Sequence, residues 1–276
     1  MTVIVTDSSA YLTREQAERL GAVVVPMTYS CAASPVLAES YVDENGAFDR
    51  LIKNGGTQMH TSQASMAAFV NTFQEIVDEG QDILCVTMSS RMSGTYSNAV
   101  FAAREVAPGR IRVVDSLNTS AGLMQLIIRG RALLDAGRSL EAAACALEEL
   151  RSRVSMTFTV EDIEPLRRSG RIGSIKSSVS TILNIRPILS CKDGALVSSG
   201  IARGKNDQRR QLLRAVPANV KKVYVIDYDA REHSSVLANA LRLRGVQAET
   251  CKLGPVLAIH LGAGSVGLSW INEEDK

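Results

Sequence analysis

The chain lacks most of what would staple a small fold or build a metal centre. Its five cysteines (Cys31, Cys85, Cys145, Cys191 and Cys251) are scattered, with no Cys-x-x-Cys pair. That spacing excludes a disulfide framework and a thiolate zinc site, and it points to buried thiols in a reducing compartment. Only His60, His233 and His260 carry imidazole, too few for a histidine-rich metal centre, and no clustered carboxylate motif supports an oxygen-only one. No run of 18 apolar residues occurs, so no transmembrane helix is expected. The start, MTVIVTDSSAYLTREQ, has neither a basic leader nor a small-residue cleavage site, and the expected location is the cytoplasm. Aromatics number 12, and none is interleaved with the basic turns, which removes the stacking platform that nucleic-acid binding would want.

What is present is ordinary globular material: 276 residues, 45% hydrophobic and 22% charged. A chain of this length buries roughly three-quarters of the surface its unfolded form exposes and needs no staple. At about 150 residues per domain, two domains are expected. The net charge of +2 conceals an asymmetry. Residues 1–150 hold 11 basic and 17 acidic side chains, whereas residues 151–276 hold 20 and 12. The excess sits in residues 151–214, with 13 basic against 5 acidic. Such a stretch is either a solvated, locally paired face or a patch for an anionic partner.

The first half alternates strand-like and helix-like segments. Thr2–Asp7 is a β-branched run, and Thr13 caps a helix ending at Gly21. Ala22–Met27, Asp82–Met88 and Ile111–Asp115 read as further strands. Ser65–Glu79, Gly94–Val106, Thr119–Ala136 and Ser139–Arg153 read as helices. Near-continuous apolar strands alternating with helices predict a parallel sheet covered on both faces. From Val154 the pattern changes. The run VSMTFTVED alternates as a half-buried strand does, and Asp193-Gly194 marks a hairpin between Arg186–Ser190 and Ala195–Ala202. Helices near Lys205–Val216 and Arg231–Arg244, and strands at Lys221–Asp227 and Val246–Cys251, follow. The expectation is a two-domain α/β protein, with a parallel α/β domain over 1–153 and a mixed α/β domain over 154–276.

In open parallel sheets, ligands sit beyond the carboxyl ends of the strands. Those ends read Asp7-Ser8-Ser9, Thr87-Met88-Ser89-Ser90 and Asp115-Ser116, with His60-Thr61-Ser62-Gln63 between the second and third strands. Hydroxyls gather there and helices begin beside them, which suits an anion as well as it suits simple capping. In Arg91-Met92-Ser93-Gly94-Thr95, Gly94 permits close backbone approach and Ser93 presents a hydroxyl. No Gly-x-Ser-x-Gly elbow surrounds Ser93, and a serine acyl-hydrolase or acyltransferase would need His60 or His260 as its base. Gly262-Ala263-Gly264-Ser265-Val266-Gly267 matches Gly-x-Gly-x-x-Gly, but only nine residues follow it, too few for a dinucleotide unit. Its expected use is local, as a glycine loop beside His260 whose amides face an anion. Arg171 and Arg203 lie in glycine-containing turns suited to a phosphate or carboxylate. No Walker A or kinase glycine loop is present, so the chain brings no ATP site of its own.

Six of these segments, in this order, resemble the DegV family of bacterial fatty-acid-binding proteins. They are Asp7-Ser8-Ser9-Ala10, Thr61-Ser62-Gln63-Ala64-Ser65, Ser89 to Tyr96, Val114-Asp115-Ser116, Leu166 to Ile172 and His260-Leu261-Gly262-Ala263-Gly264. Two departures stand out: Ala64 and Ala263 occupy positions where the family usually has proline. The resemblance implies a non-catalytic, cofactor-free protein that buries a long-chain fatty acid. It implies that the bound carboxylate is presented to a separate ATP-dependent fatty-acid kinase, which forms acyl phosphate for phospholipid synthesis. By motif, the carboxylate site falls on Thr61, Ser62, Ser93, Gly94, Thr95 and His260, with hydrogen bonds from Thr61 and Ser93. Arg171 and Arg203 match family arginines at the rim or the kinase-docking face. The basic stretch would then dock an acidic kinase surface or make transient contact with an anionic membrane. The rival readings are the Ser93/His260 hydrolase and a carrier of another anionic amphiphile.

Overall fold

The computed structural model describes residues 1–31, 35–53, 59–172 and 185–272. It opens with β1 (Thr2–Asp7), α1 (Arg14–Leu20) and β2 (Ala22–Val25). Thr13 and Gln16 close a reciprocal capping box at the head of α1, and Gly21 ends it in the left-handed region. β2 stops two residues earlier than expected, because Pro26 has no N–H for a ladder and the Met27 N–H goes to Ser8 Oγ. Next come β3 (Thr28–Ser30), β4 (Leu37–Ala38), α2 (Gly46–Lys53) and β5 (His60–Ser62). The three strands form a small antiparallel sheet in the order β4-β3-β5 that the sequence reading did not anticipate.

The expected pattern resumes with α3 (Met66–Asp78), β6 (Asp82–Thr87), α4 (Thr95–Val106), β7 (Ile111–Asp115), α5 (Ser120–Asp135) and α6 (Leu140–Leu150). The large strands pair in the order β2-β1-β6-β7, every pair parallel. α3 and α4 pack together, α5 packs on α1 and α6, and both groups touch the sheet. The chain leaves β1 to one side for β2 and reaches β6 on the other, so the strand order reverses beside β1 and opens a crevice there. Asp7 stitches that point. Its buried carboxylate accepts the Met88 N–H (2.7 Å), the Ser9 N–H (3.0 Å) and the Ser9 hydroxyl (2.6 Å).

The second half runs β8 (Val154–Thr159), α7 (Glu164–Ser169), β9 (Ile185–Lys192), β10 (Ala195–Arg203), α8 (Gly204–Ala215), β11 (Lys222–Tyr228), α9 (Arg231–Leu243), β12 (Gln247–Lys252), α10 (Pro255–Leu261) and β13 (Ser265–Ile271). Its sheet is mixed, in the order β10-β9-β8-β13-β11-β12, with β11–β12 parallel and the other pairs antiparallel. Asp193 and Gly194 both take positive φ (+48° and +80°), as a two-residue hairpin turn demands.

β13 corrects the reading of the glycine run. Gly262 ends α10, its N–H bonded to Ala258 C=O, and the Gly264 N–H bonds Tyr228 C=O. Those amides are spent inside the fold and face no anion. Gly267 is a strand residue paired with Phe158, where a Cβ would stand 2.8 Å from Phe158 Cβ. One buried apolar cluster joins Ile4, Val86 and Leu126 to Met156, Leu196, Ile226 and Val256, so the two halves share a core. A second cluster lies beneath α8 and α9 around Leu212, Leu237 and Trp270. Among the described residues, no helix is long and apolar enough to cross a membrane.

Candidate functional site

Where the crevice beyond β1 and β6 meets the second sheet, a cavity of about 360 Å³ opens. Its walls come from both halves of the chain. Met27, Met88 and Met92 face Met156 and Phe158 of β8, Leu196 of β10, Ile226 of β11 and Val266 of β13. α10 adds Val256, Leu257, His260 and Leu261. The lining is mostly aliphatic and sulfur-bearing, adaptable to an irregular apolar guest.

Its polar residues are linked to one another. Thr61 sits on β5, held in register by pairing with Tyr29 of β3. His260 rides on the last turn of α10. Thr61 Oγ1 and His260 Nε2 lie 2.8 Å apart and share a hydrogen bond across 199 positions of sequence. Burial, with help from the nearby Arg171 guanidinium, pushes the His260 pKa down to about 4, so the ring is neutral at neutral pH. Gln63 lies directly over Gly94, where any Cβ would collide with its amide. Ser93 Oγ accepts the Thr95 N–H (3.2 Å) and shares a hydrogen bond with Thr95 Oγ1 (2.9 Å). Thr61, Gln63, Ser93, Gly94, Arg171 and His260 all line the cavity.

The remaining sequence-derived candidates fall elsewhere. Ser62 is exposed and does not line the cavity, and Thr95 is fully buried behind Ser93. Arg203 is exposed at the head of α8 with its N–H on Asp207 (2.8 Å), away from the lining. Gly173, which follows the arginine motif, lies outside the described residues. Ser65 acts as a helix cap, its hydroxyl accepting the Ala68 N–H. Among the described residues, no group of three or more metal-ligating side chains is present.

Several lining residues had no individual signal in the sequence. Of the four methionines, Met27 and Met88 follow the ends of β2 and β6, Met92 lies in a loop and Met156 inside β8, with no periodicity to connect them. Gln63 and Arg91 also line the cavity, each beside a hydroxyl motif. Thr119 and Ser120, at the head of α5, also line the cavity, and their hydroxyls have no hydrogen-bond partner among the described residues.

The arrangement is a pocket with apolar walls, a cluster of hydroxyls, one neutral imidazole and the guanidinium groups of Arg91 and Arg171. The DegV family, described as a family of uncharacterised proteins, matches residues 1–273. The chain belongs to the DegV family. A DegV domain-containing protein of Halalkalibacterium halodurans is 29% identical over 279 residues, covering 98% of each chain. Among solved structures, a fatty-acid-binding DegV protein from Thermus thermophilus is 30% identical with a TM-score of 0.88, covering 98% of this chain and 99% of its own. A DegV lipid-binding protein from Thermotoga maritima is 26% identical with a TM-score of 0.88, covering 99% of both. The likeness runs over nearly the whole chain, and these two solved relatives are described as fatty-acid-binding and lipid-binding proteins.

Proposed function

We propose that this DegV protein buries a long-chain fatty acid in the cavity, with the carboxylate at Thr61, Ser93 and His260. The observation that carries this reading is the Thr61–His260 hydrogen bond at the edge of a cavity walled largely by Met, Leu, Ile and Val side chains. With Nε2 protonated, neutral His260 donates to Thr61 Oγ1, which frees the Thr61 hydroxyl to donate to a carboxylate. Gly94 lines the cavity beside Ser93, and Thr95 holds the Ser93 hydroxyl from behind, while exposed Ser62 stands outside the site. The tail supplies the affinity: about 14 methylenes at roughly 0.8 kcal/mol each set an upper bound near 11 kcal/mol before ordering costs. The head group sets orientation, because a buried carboxylate is costly unless hydrogen-bonded.

Within the same proposal, residues 1–153 and 154–276 are two domains and the ligand lies between them, as wall residues from both ranges suggest. The protein is non-catalytic alone, works in the cytoplasm and presents the carboxylate to a separate ATP-dependent kinase. Arg171 at the cavity and exposed Arg203 on α8 are its docking or rim residues, and the basic face serves kinase docking or brief contact with an anionic membrane. The hydrolase reading is disfavoured by the hydrogen bonds: Ser93 pairs with Thr95 and His260 with Thr61, so no base sits on the serine hydroxyl.

Native mass spectrometry of the recombinant protein, followed by solvent extraction, tests the lipid. The expected result is an adduct of fatty-acid mass. Delipidated protein that takes up neither palmitate nor oleate on titration would overturn the reading. For the kinase, complex formation should weaken as salt is raised, and docking indifferent to ionic strength would remove the electrostatic role of the basic face.

A further inference from the structure

α10 forms a wall of the cavity, yet no side chain of its own caps its first turn. Side chains from the other end of the sequence do so instead. The Val256 N–H donates to Glu39 Oε1 (2.8 Å), and the Leu257 N–H donates to the Tyr11 hydroxyl (2.9 Å). Glu39 Oε2 accepts the Ser8 hydroxyl (2.6 Å), and the Tyr11 hydroxyl also bonds the carboxylate. Ser8 Oγ takes the Met27 N–H (3.1 Å), while the Glu39 N–H donates to Met27 C=O (2.8 Å). A second wall residue, Met27, is therefore tied into the same knot. Gly254, just before α10, lies against it, where a Cβ would stand 2.9 Å from Glu39 Oε1 and strike the Tyr11 ring.

Glu39 has no solvent exposure. A carboxylate is kept in such a place only when it is bonded on several sides. Here it is bonded to the helix that carries His260 one turn further on. We propose that Glu39 is a positioning residue: with Ser8 and Tyr11 it sets the pose of α10 and so holds His260 against Thr61 over the cavity. Only the consequence for ligand affinity rests on the fatty-acid reading; the knot itself does not.

Three donors converge on the carboxylate, so this pose belongs to its ionised form. The titratable groups facing Glu39 are Asp7, Tyr11 and Tyr29, and none of them carries positive charge. Burial, reinforced by Asp7, pushes the Glu39 pKa up to about 7 against the opposing bonds from Ser8, Val256 and Tyr11. Protonation puts an O–H among three donors, so either a bond is lost or the Ser8 or Tyr11 hydroxyl must turn round and give up its own donation to the carboxylate. The hold on α10 therefore loosens as pH falls through that value.

The first test needs no ligand: amide and imidazole NMR signals of the full-length protein, followed between about pH 5.5 and 8.5. The Val256 amide should titrate with a midpoint near the Glu39 value, and the His260 ring signals should move in step. Glu39→Gln should flatten both, and Tyr11→Phe, which removes only the phenol oxygen, should shift the His260 signals part of the way. A Val256 amide that does not titrate in the wild type, or a Glu39→Gln protein whose His260 signals follow the wild-type profile, would overturn the proposal. The second test titrates hexadecanesulfonate, whose head group stays ionised throughout. Wild-type affinity should fall about fivefold or more between pH 8 and 6, and Glu39→Gln should stay at the weak value throughout. If the sulfonate binds at neither pH while the amide titrates as expected, the lipid reading falls and the role of Glu39 stands. If it binds equally at both, Glu39 does not govern the site.

Discussion

Thr119 and Ser120 are 4% and 2% exposed, and both hydroxyls lack partners among the described residues. Thr119 also has extended backbone geometry (φ −154°, ψ 177°), which a β-branched residue adopts without strain. Thr119→Val keeps the shape and removes an unsatisfied oxygen, so it should leave stability unchanged or raise it by about 1 kcal/mol in urea unfolding. A clear loss would mean that the hydroxyl has a partner in solution. Thr61→Val is the opposite case. It strips the hydroxyl that links His260 to the proposed carboxylate, and fatty-acid affinity should drop by roughly tenfold or more, read by titration of delipidated protein. At this scale legibility divides cleanly. Thr61, Ser93 and His260 could be found because hydroxyl and imidazole recur in short, unusual motifs. Glu39 could not, since a single Glu outside any motif looks solvated, and its burial is decided by Ser8, Tyr11 and Val256 from two other segments.

The elements that sequence patterning captured are those whose own residues decide their structure. β1, β6 and β7 are apolar runs that only a covered sheet accepts, and the β9–β10 hairpin follows from Asp193-Gly194 in left-handed geometry. The missed elements depend on partners. β3 and β5 have three residues each, too few for any alternation, and exist because they pair with each other. α7 and α10 are short and carry proline at the second and first position, so they resemble loops until they pack. β13 was obscured by glycines, of which Gly267 is required by the close approach of β8. Gly267→Ala should therefore cost about 1–3 kcal/mol, measured by chemical denaturation, because its new methyl meets Phe158 Cβ and Thr157 C=O (3.1 Å). Retained stability would show that β8 and β13 can part without loss.

Across the whole molecule, buried titratable groups pull the pH dependence of stability in opposite directions. His260 and His233 are both held down to about 4 by burial, so their contribution is complete above the ordinary value of 6.5 and is lost as pH falls towards 4. Glu39 is raised from 4.5 to about 7, so its contribution is present below 4.5 and is lost as pH rises through 7. Between those limits the effects partly cancel. Glu39→Gln removes the second, and the stability of the variant should climb more steeply with pH, by up to about 1.4 kcal/mol per pH unit in urea midpoints. Equal slopes would mean that Glu39 titrates alike in the folded and unfolded chain. The cavity wall carries one more consequence. Met27, Met88, Met92 and Met156 all face the same space, and a thioether there is open to peroxide only while that space is empty. Sulfoxide formation at these four positions would make each one polar and spoil the cavity for an apolar guest. Oxidative damage should therefore fall first on protein whose cavity is empty, and the lipid proposed for that space would act as a chemical shield.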